Sequence, residues 1–156
     1  MKIILLQIDK TDQSFVDQGV QEFAKRANRY NPFEIVTITI SKTIRNKTIP
    51  EQKTEEEKQI LAHLEKYDAV YLLDENGKEY SSVAFSKQIQ QILNSGKKSL
   101  CFVIGGPYGF TDTMRKKYPL ISLSQFTFSH QLIRLLFVEQ LYRAFTIIKG
   151  EKYHHE

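Results

Sequence analysis

SLSQFTFSHQLIRLLFVEQLYRAFTIIKGEKYHHE, residues 122–156, is the stretch around which the remainder of the chain has to be arranged. A polar-apolar alternation runs from Ile121 to Phe128, and a helical apolar pattern then continues from Ser129 to Ile148. The Ser129 hydroxyl suits an N-cap, where it accepts a backbone N–H that the helix itself leaves unpaired, and Gly150 suits the C-terminal stop. On a helical wheel Ile133, Phe137, Leu141, Ala144, Phe145 and Ile148 share one face, while Leu132, Leu136 and Ile147 make a second. A surface helix needs one apolar stripe, so this helix is predicted to be buried in a core or shared with a second chain. Arg134 falls inside the main apolar sector. A guanidinium there needs an anion or a ring of acceptors, unless it snorkels out from the helix start.

Upstream lies SLCFVI, residues 99–104, a buried strand that delivers the chain into the glycine turn GGPYGF, residues 105–110. The same pattern of strand followed by helix recurs back to the start. Ile3–Ile8 reads as a first strand, and residues 12–29 as a helix with Phe15, Gly19, Phe23 and Ala27 on one face. Glu34 to Ser41 is a second strand, and Lys42 to Lys47 a mobile basic loop that is either a plain connection or a contact to phosphate. Glu51 to Lys66 is an acidic helix, and Asp68 to Asp74 a third strand, apolar enough to be central. Glu75 to Lys78 is a turn, Ser82 starts a helix stopped by Asn94-Ser95-Gly96, Thr111 to Tyr118 is a short basic helix, and Ile121 to Ser124 a fifth strand. Strands alternating with helices predict an α/β fold with a parallel sheet flanked by helices on both faces.

The chain has 156 residues, 41% of them hydrophobic and 26% charged, which fits one domain spanning residues 1–156. The apolar run after Lys2 is too short for a membrane span or signal peptide, and the single cysteine, Cys101, sits in a strand, as a buried thiol in a reducing compartment would. A cytoplasmic protein is expected. Charge is uneven along the chain. Residues 51–75 hold eight of the 18 acids, whereas residues 97–152 hold nine Lys and Arg against three acids, so the C-terminal part is the end suited to a polyanion.

Ligands of open parallel sheets lie beyond the carboxyl ends of strands, and three such ends are unusual here: Leu73-Asp74, the glycine turn, and Ser124–Ser129. The turn is neither a dinucleotide fingerprint nor a P-loop, although its glycines permit close approach of a ligand to the backbone as well as a tight structural bend. No Gly-x-Ser-x-Gly elbow is present. His63 and His130 are remote, and adjacent His154-His155 suits no metal spacing, so no metal is expected. The tail GEKYHHE reads either as a frayed terminus or as a dense supply of donors and titratable groups docked over a site.

LCFVIGGPYGF, SLSQFTFSHQLIRLLFVEQLYRAFTIIKG and EKYHHE, with MKI at the start and LLDENGK in the middle, together closely resemble the SPOUT family, and within it the small ribosomal RNA enzymes that methylate N3 of a pseudouridine. The resemblance covers the whole chain. It implies a SPOUT-type domain with a C-terminal trefoil knot, an exception to the usual absence of knots. It also implies bent S-adenosylmethionine bound within the knot, a homodimer, and action on large-subunit rRNA in the ribosome, with no membrane or DNA partner. Carried over residue by residue, the cofactor pocket comprises Leu73, Gly105, Gly106, Ser124, Gln125, Phe126, Thr127, Phe128 and Ser129. Several relatives have proline where Ser129 stands, which leaves the loop less rigid here. The candidate catalytic residues are His130, Glu139, Arg143, Tyr153 and His154. Arg143 and His130 are expected to position the base or stabilise charge, and Tyr153 and His154 to close over it. Glu139 and Arg143 also have the spacing of an ordinary helix ion pair. A SPOUT enzyme for another RNA, a non-catalytic RNA- or ribosome-binding module, and a flavodoxin-like nucleotide-binding domain are the competing readings.

Overall fold

The computed structural model describes every residue from Met1 to Glu156. Five strands, β1 (Lys2–Ile8), β2 (Phe33–Ile38), β3 (Ala69–Glu79), β4 (Ser99–Ile104) and β5 (Leu120–Ser122), form one sheet in the order β2-β1-β4-β3-β5. All neighbouring pairs are parallel. The helices are α1 (Ser14–Asn28), α2 (Lys42–Arg45), α3 (Ile49–Leu64), α4 (Ser82–Leu93), α5 (Asp112–Lys117) and α6 (Leu132–Ile148).

Alternate residues of the inner strands feed two separate cores, as the two-residue period of a strand requires. Ile3 and Leu5 of β1, with Leu100 and Phe102 of β4, pack beneath α1, α4 and α6. Ile4, Leu6, Cys101 and Val103 face the opposite way, toward Ile60 and Leu64 of α3 and Met114 of α5. The predicted α/β architecture with helices on both faces is therefore what forms. Burial pushes the Cys101 thiol up to about 12, so it stays protonated and inert.

Helix α6 sits across α1 and α4, with Phe137, Val138, Leu141, Ala144 and Phe145 buried. Gly19 permits the close α1–α6 contact, because a Cβ there would stand 2.7 Å from Leu135 Cδ1. The buried stripe of α1 is Val16, Val20, Ala24 and Ala27. It is rotated by one residue from the expected face, and Phe15, expected inside, is 68% exposed. Small and β-branched side chains let α1 lie close to the sheet where a phenylalanine in the first turn would hold it away.

Three further expectations change. Residues 42–47 do not form a mobile loop: Ser41 caps the short helix α2 by accepting the Ile44 N–H at 3.3 Å. Helix α3 begins at Ile49, before Glu51, because Thr48 and Glu51 form a capping box and Pro50 occupies the first turn. Residues 75–78 are not a free turn, since β3 continues to Glu79 with a register shift. Leu73 and Lys78 both pair with Ile121, so residues 74–77 bulge away from β5. Gly77 makes the return possible, as a Cβ there would lie 2.6–2.7 Å from the Leu120 and Ile121 backbone. Strand β3 is internal, yet the centre of the sheet belongs to β4.

Candidate functional site

Beyond the carboxyl ends of β3, β4 and β5 lies a solvent-open hollow of about 290 Å³. That is at the small end of the range for small-molecule sites, about 300–1,000 Å³. Its walls are Leu73–Glu75 at the start of the β3 bulge, the whole glycine turn from Gly105 to Phe110, and Leu123, Ser124, Phe126, Thr127 and Phe128 after β5, together with His130, Ile133 and Arg115. The chain thus brings together Leu73, Gly105, Gly106, Ser124, Phe126, Thr127 and Phe128 from the expected cofactor set. Gln125 and Ser129 belong to the same loop but stand outside the lining.

The shape of the hollow follows from local chemistry. A Cβ at Gly105 would be 3.2 Å from the Phe110 ring, and one at Gly106 would be 2.4 Å from Glu56 Oε1, so both peptides sit where side chains would crowd. Gly109, at φ +76, completes the turn, its N–H donating to Gly106 O at 3.1 Å. On the facing loop Ser124 Oγ accepts the Phe126 N–H at 3.0 Å, and Ser122 Oγ donates to Ser124 O at 2.8 Å. Thr127 Oγ1 donates to Glu75 Oε2 at 2.6 Å and ties that loop to the β3 bulge. Phe126 remains 78% exposed at the rim.

The Ser129 hydroxyl accepts the Leu132 N–H at 3.0 Å and its carbonyl the Ile133 N–H at 3.1 Å, although regular helix starts only at Leu132. Arg134 is fully buried and takes the ring of acceptors instead of an anion, which removes the snorkelling alternative. It donates to Ile8 O (2.7 Å), Thr11 Oγ1 (3.0 Å) and His130 O (3.0 Å). The start of α6 is thereby bolted to the end of β1. Burial and the neighbouring Arg134 charge hold the His130 imidazole below its ordinary range.

A second hollow of about 590 Å³ lies on the α1–α4–α6 side and shares Ile121, Leu123, Ser124 and Phe128 with the first. Glu139 and Arg143 line it, together with Leu135, Leu136, Tyr80 and Phe85. Glu139 Oε1 accepts from Arg143 Nη2 (2.6 Å), Arg143 Nε (3.1 Å) and the Tyr153 hydroxyl (2.9 Å). Arg143 also stacks over the Tyr153 ring at 4.7 Å and meets His154 Nδ1 at 3.3 Å. A guanidinium only donates, so Nδ1 is the acceptor in this contact. Burial and the Glu139 bond raise the Tyr153 pKa, and the Glu139 bond raises that of Arg143.

The tail is docked rather than frayed. Gly150, at φ +69, donates to Ile147 O, and the Glu151 N–H to Thr146 O, the paired bonds that turn a chain back at a helix end. Tyr30 then donates to Glu151 at 2.5 Å, and Tyr153 packs edge-on against Tyr142 at 4.7 Å. Within one chain, Glu139, Arg143, Tyr153 and His154 form one cluster. His130 stands apart from it, on the margin of the first hollow.

A family model described as "Predicted SPOUT methyltransferase" matches residues 1–154. The chain belongs to the SPOUT methyltransferase family. A protein of Flavobacterium psychrophilum named "Ribosomal RNA large subunit methyltransferase H" is 50% identical over the full length of both chains. One of the same name from Parabacteroides distasonis is 45% identical over the same span. Among solved structures, a probable methyltransferase from Bordetella pertussis shares the fold at a TM-score of 0.58 and 10% identity, covering 92% of this chain and 94% of its own. A probable methylase family protein from Haemophilus influenzae gives 0.54 at 9% identity, covering 99% and 70%.

Two residues that line the first hollow, Arg115 and Tyr108, carry no motif in the sequence. Arg115 of α5 reaches across to Asp74, Nε to Oδ2 at 2.8 Å, and that pair forms part of the wall. In the sequence Asp74 stands out as a strand-end acid, whereas Arg115 is one of three basic residues on a short helix. Tyr108, 46% exposed at the mouth, gave no signal beyond its place in the turn.

Proposed function

We propose that this chain is an S-adenosylmethionine-dependent methyltransferase of large-subunit ribosomal RNA that places its methyl group on N3 of a pseudouridine. The glycine turn and the 124–129 loop face each other across one hollow, in a chain whose full length matches enzymes named for large-subunit rRNA, and this supports the reading. The residues fit the cofactor. The Gly105 and Gly106 peptides and the Leu123–Phe128 backbone offer donors and acceptors to an adenine edge, with Leu73, Ile104 and Ile133 as apolar floor. Glu75 puts negative charge beside a ligand that carries a sulfonium and an ammonium, whereas the Asp74 carboxylate is already paired with Arg115. Bound there, the cofactor supplies an electrophilic methyl group. In this reading the two segments are the walls of a trefoil knot.

The chain's own task is to hold a weakly acidic base and manage its proton. The N3 proton passes to water as the N3–methyl bond forms, and the negative charge that develops on the way is shared by the flanking carbonyl oxygens. Arg143, kept charged and oriented by Glu139, is the group suited to that charge. Neutral His130 faces the first hollow and positions the base, while Tyr153 and His154 cover it from the tail.

The protein works as a homodimer in the cytoplasm in this account. Leu132, Leu136 and Ile147 remain partly exposed on α6, and the apolar groove beside them suits a second copy's helix. A partner seated there would bring a His130 side and an Arg143 side toward one another. No helix is long and apolar enough to cross a membrane. The test is methyl incorporation from labelled S-adenosylmethionine into intact ribosomes, free transfer RNA and uridine. Label in large-subunit rRNA alone is expected, and label in transfer RNA but not ribosomes would overturn the assignment.

A further inference from the structure

Glu56 is the least expected charged residue in the molecule. It lies in the acidic helix α3, yet it is 2% exposed. Its carboxylate is wedged between two elements. On one side Arg45 Nη1 approaches Oε1 at 2.6 Å, and on the other both oxygens lie within 2.4–2.6 Å of where a Gly106 Cβ would be. Arg45 is held in turn by Asp9, Nη2 to Oδ2 at 2.7 Å, and by Gln52 Oε1 at 3.4 Å. Asp9 adopts the left-handed conformation, at φ +57, which a short polar side chain tolerates, and its Oδ1 accepts the Ile40 N–H at 2.8 Å. A relay of side chains therefore runs from the ends of β1 and β2 through α2 and α3 to the peptide that follows β4. Within the basic segment 42–47, Arg45 is committed to two carboxylates of the protein, Asp9 and Glu56.

A buried carboxylate is retained against its desolvation only if its partners hold it, and an apolar residue of like volume generally serves stability as well or better. Stability alone thus gives no reason for a glutamate here. Its contact with the cofactor wall does. We propose that Glu56 is a positioning residue: its carboxylate, steered by Arg45 and Asp9, fixes the Gly105–Gly106 backbone in the orientation that receives the methyl donor. This assignment rests on the cofactor reading above. Burial raises the Glu56 pKa, while Arg45 and the Gly106 N–H oppose that and favour the charged form.

Two variants separate positioning from packing. Glu56→Ala removes the carboxylate, and Arg45→Met/Glu56→Leu refills the site with an apolar pair. The readouts are the S-adenosylmethionine dissociation constant by calorimetry, the thermal midpoint, and Gly106 amide exchange by NMR. The expected result is at least tenfold weaker binding in both variants, with Gly106 exchange accelerated at least tenfold. The apolar pair should restore the thermal midpoint but not the affinity. If the pair restored both, or if folded variants bound within twofold of wild type, the assignment would fall while the cofactor reading stood. If wild type itself bound no S-adenosylmethionine, both would fall.

Discussion

Replacing Arg134 with methionine should damage fold and site together, by an amount the structure sets. The guanidinium is fully buried and makes three bonds, to Ile8 O, Thr11 Oγ1 and His130 O. Methionine follows the aliphatic stem but supplies no donor, so two carbonyls and a hydroxyl lose a charged partner. Each buried acceptor left unmet costs about 1–3 kcal/mol, and Thr11, only partly buried, recovers water and falls at the low end. Against this, the variant no longer desolvates a cation, the same burial that pulls the Arg134 pKa down. The balance is a loss of about 2–4 kcal/mol, since partial relief of desolvation offsets only part of three lost bonds. For a chain of this size that corresponds to a midpoint about 4–16 °C lower. Urea unfolding with a shared m-value measures it. Because Arg134 also pins the His130 carbonyl beside the first hollow, methyl-donor affinity should drop as well. Arg134→Lys should recover little, as one ammonium cannot span three acceptors arranged for a planar fork. A stability change below about 0.5 kcal/mol for Arg134→Met, within the scatter of surface substitutions, would refute the claim that this arginine locks α6 to β1.

Four other outcomes are expected. Arg143→Ala should abolish methyl transfer while keeping cofactor affinity within a few-fold, because its partners are Glu139, Tyr153 and His154 rather than the first hollow; equal loss of both would make it structural. His130, whose folded pKa lies below its ordinary 6.5, binds its proton less readily folded than unfolded, so it subtracts nothing above that value and destabilises increasingly as pH falls through 6.5 toward the depressed folded pKa. His130→Gln should therefore lose less stability than wild type between pH 7.5 and 5.5, and a parallel decline would contradict the shift. Gly77→Ala should destabilise by about 1–3 kcal/mol and weaken cofactor binding, since its Cβ would strike the β5 backbone that leads into the 124–129 loop; a fully stable variant would mean β5 can move aside. Leu136→Glu should give a monomer by sedimentation with wild-type circular dichroism, and an unchanged dimer would place the interface elsewhere.

Periodicity was enough to find the strand-helix alternation, both cores of the sheet, and the burial of α6, because each depends on local spacing. It failed where a partner comes from far along the chain. Phe15 and Val16 both fit a helical stripe, and only the close seat of α1 on the sheet selects the smaller one. Glu56 looked like one more acid on a charged helix until Arg45, eleven positions away, neutralised it. The β3 bulge is invisible locally, since residues 75–78 have ideal turn composition and Gly77 is needed for what lies opposite it. Of the site, the three strand ends were legible as unusual before any geometry was known. The membership of Leu73 and the 124–129 loop in one wall came through family resemblance, because sheet order decides which strand ends adjoin. The separation of His130 from the Arg143 cluster arises because His130 precedes α6 while Arg143 lies in its C-terminal half.

The most direct trial of the central claim is a crystal structure grown with S-adenosylhomocysteine. The account predicts the adenine between the Gly105–Gly106 peptides and the Ser124–Phe128 backbone, with Leu73 against it. Ligand density in the groove between α4 and α6, or none in the first hollow at saturating concentration, would contradict it.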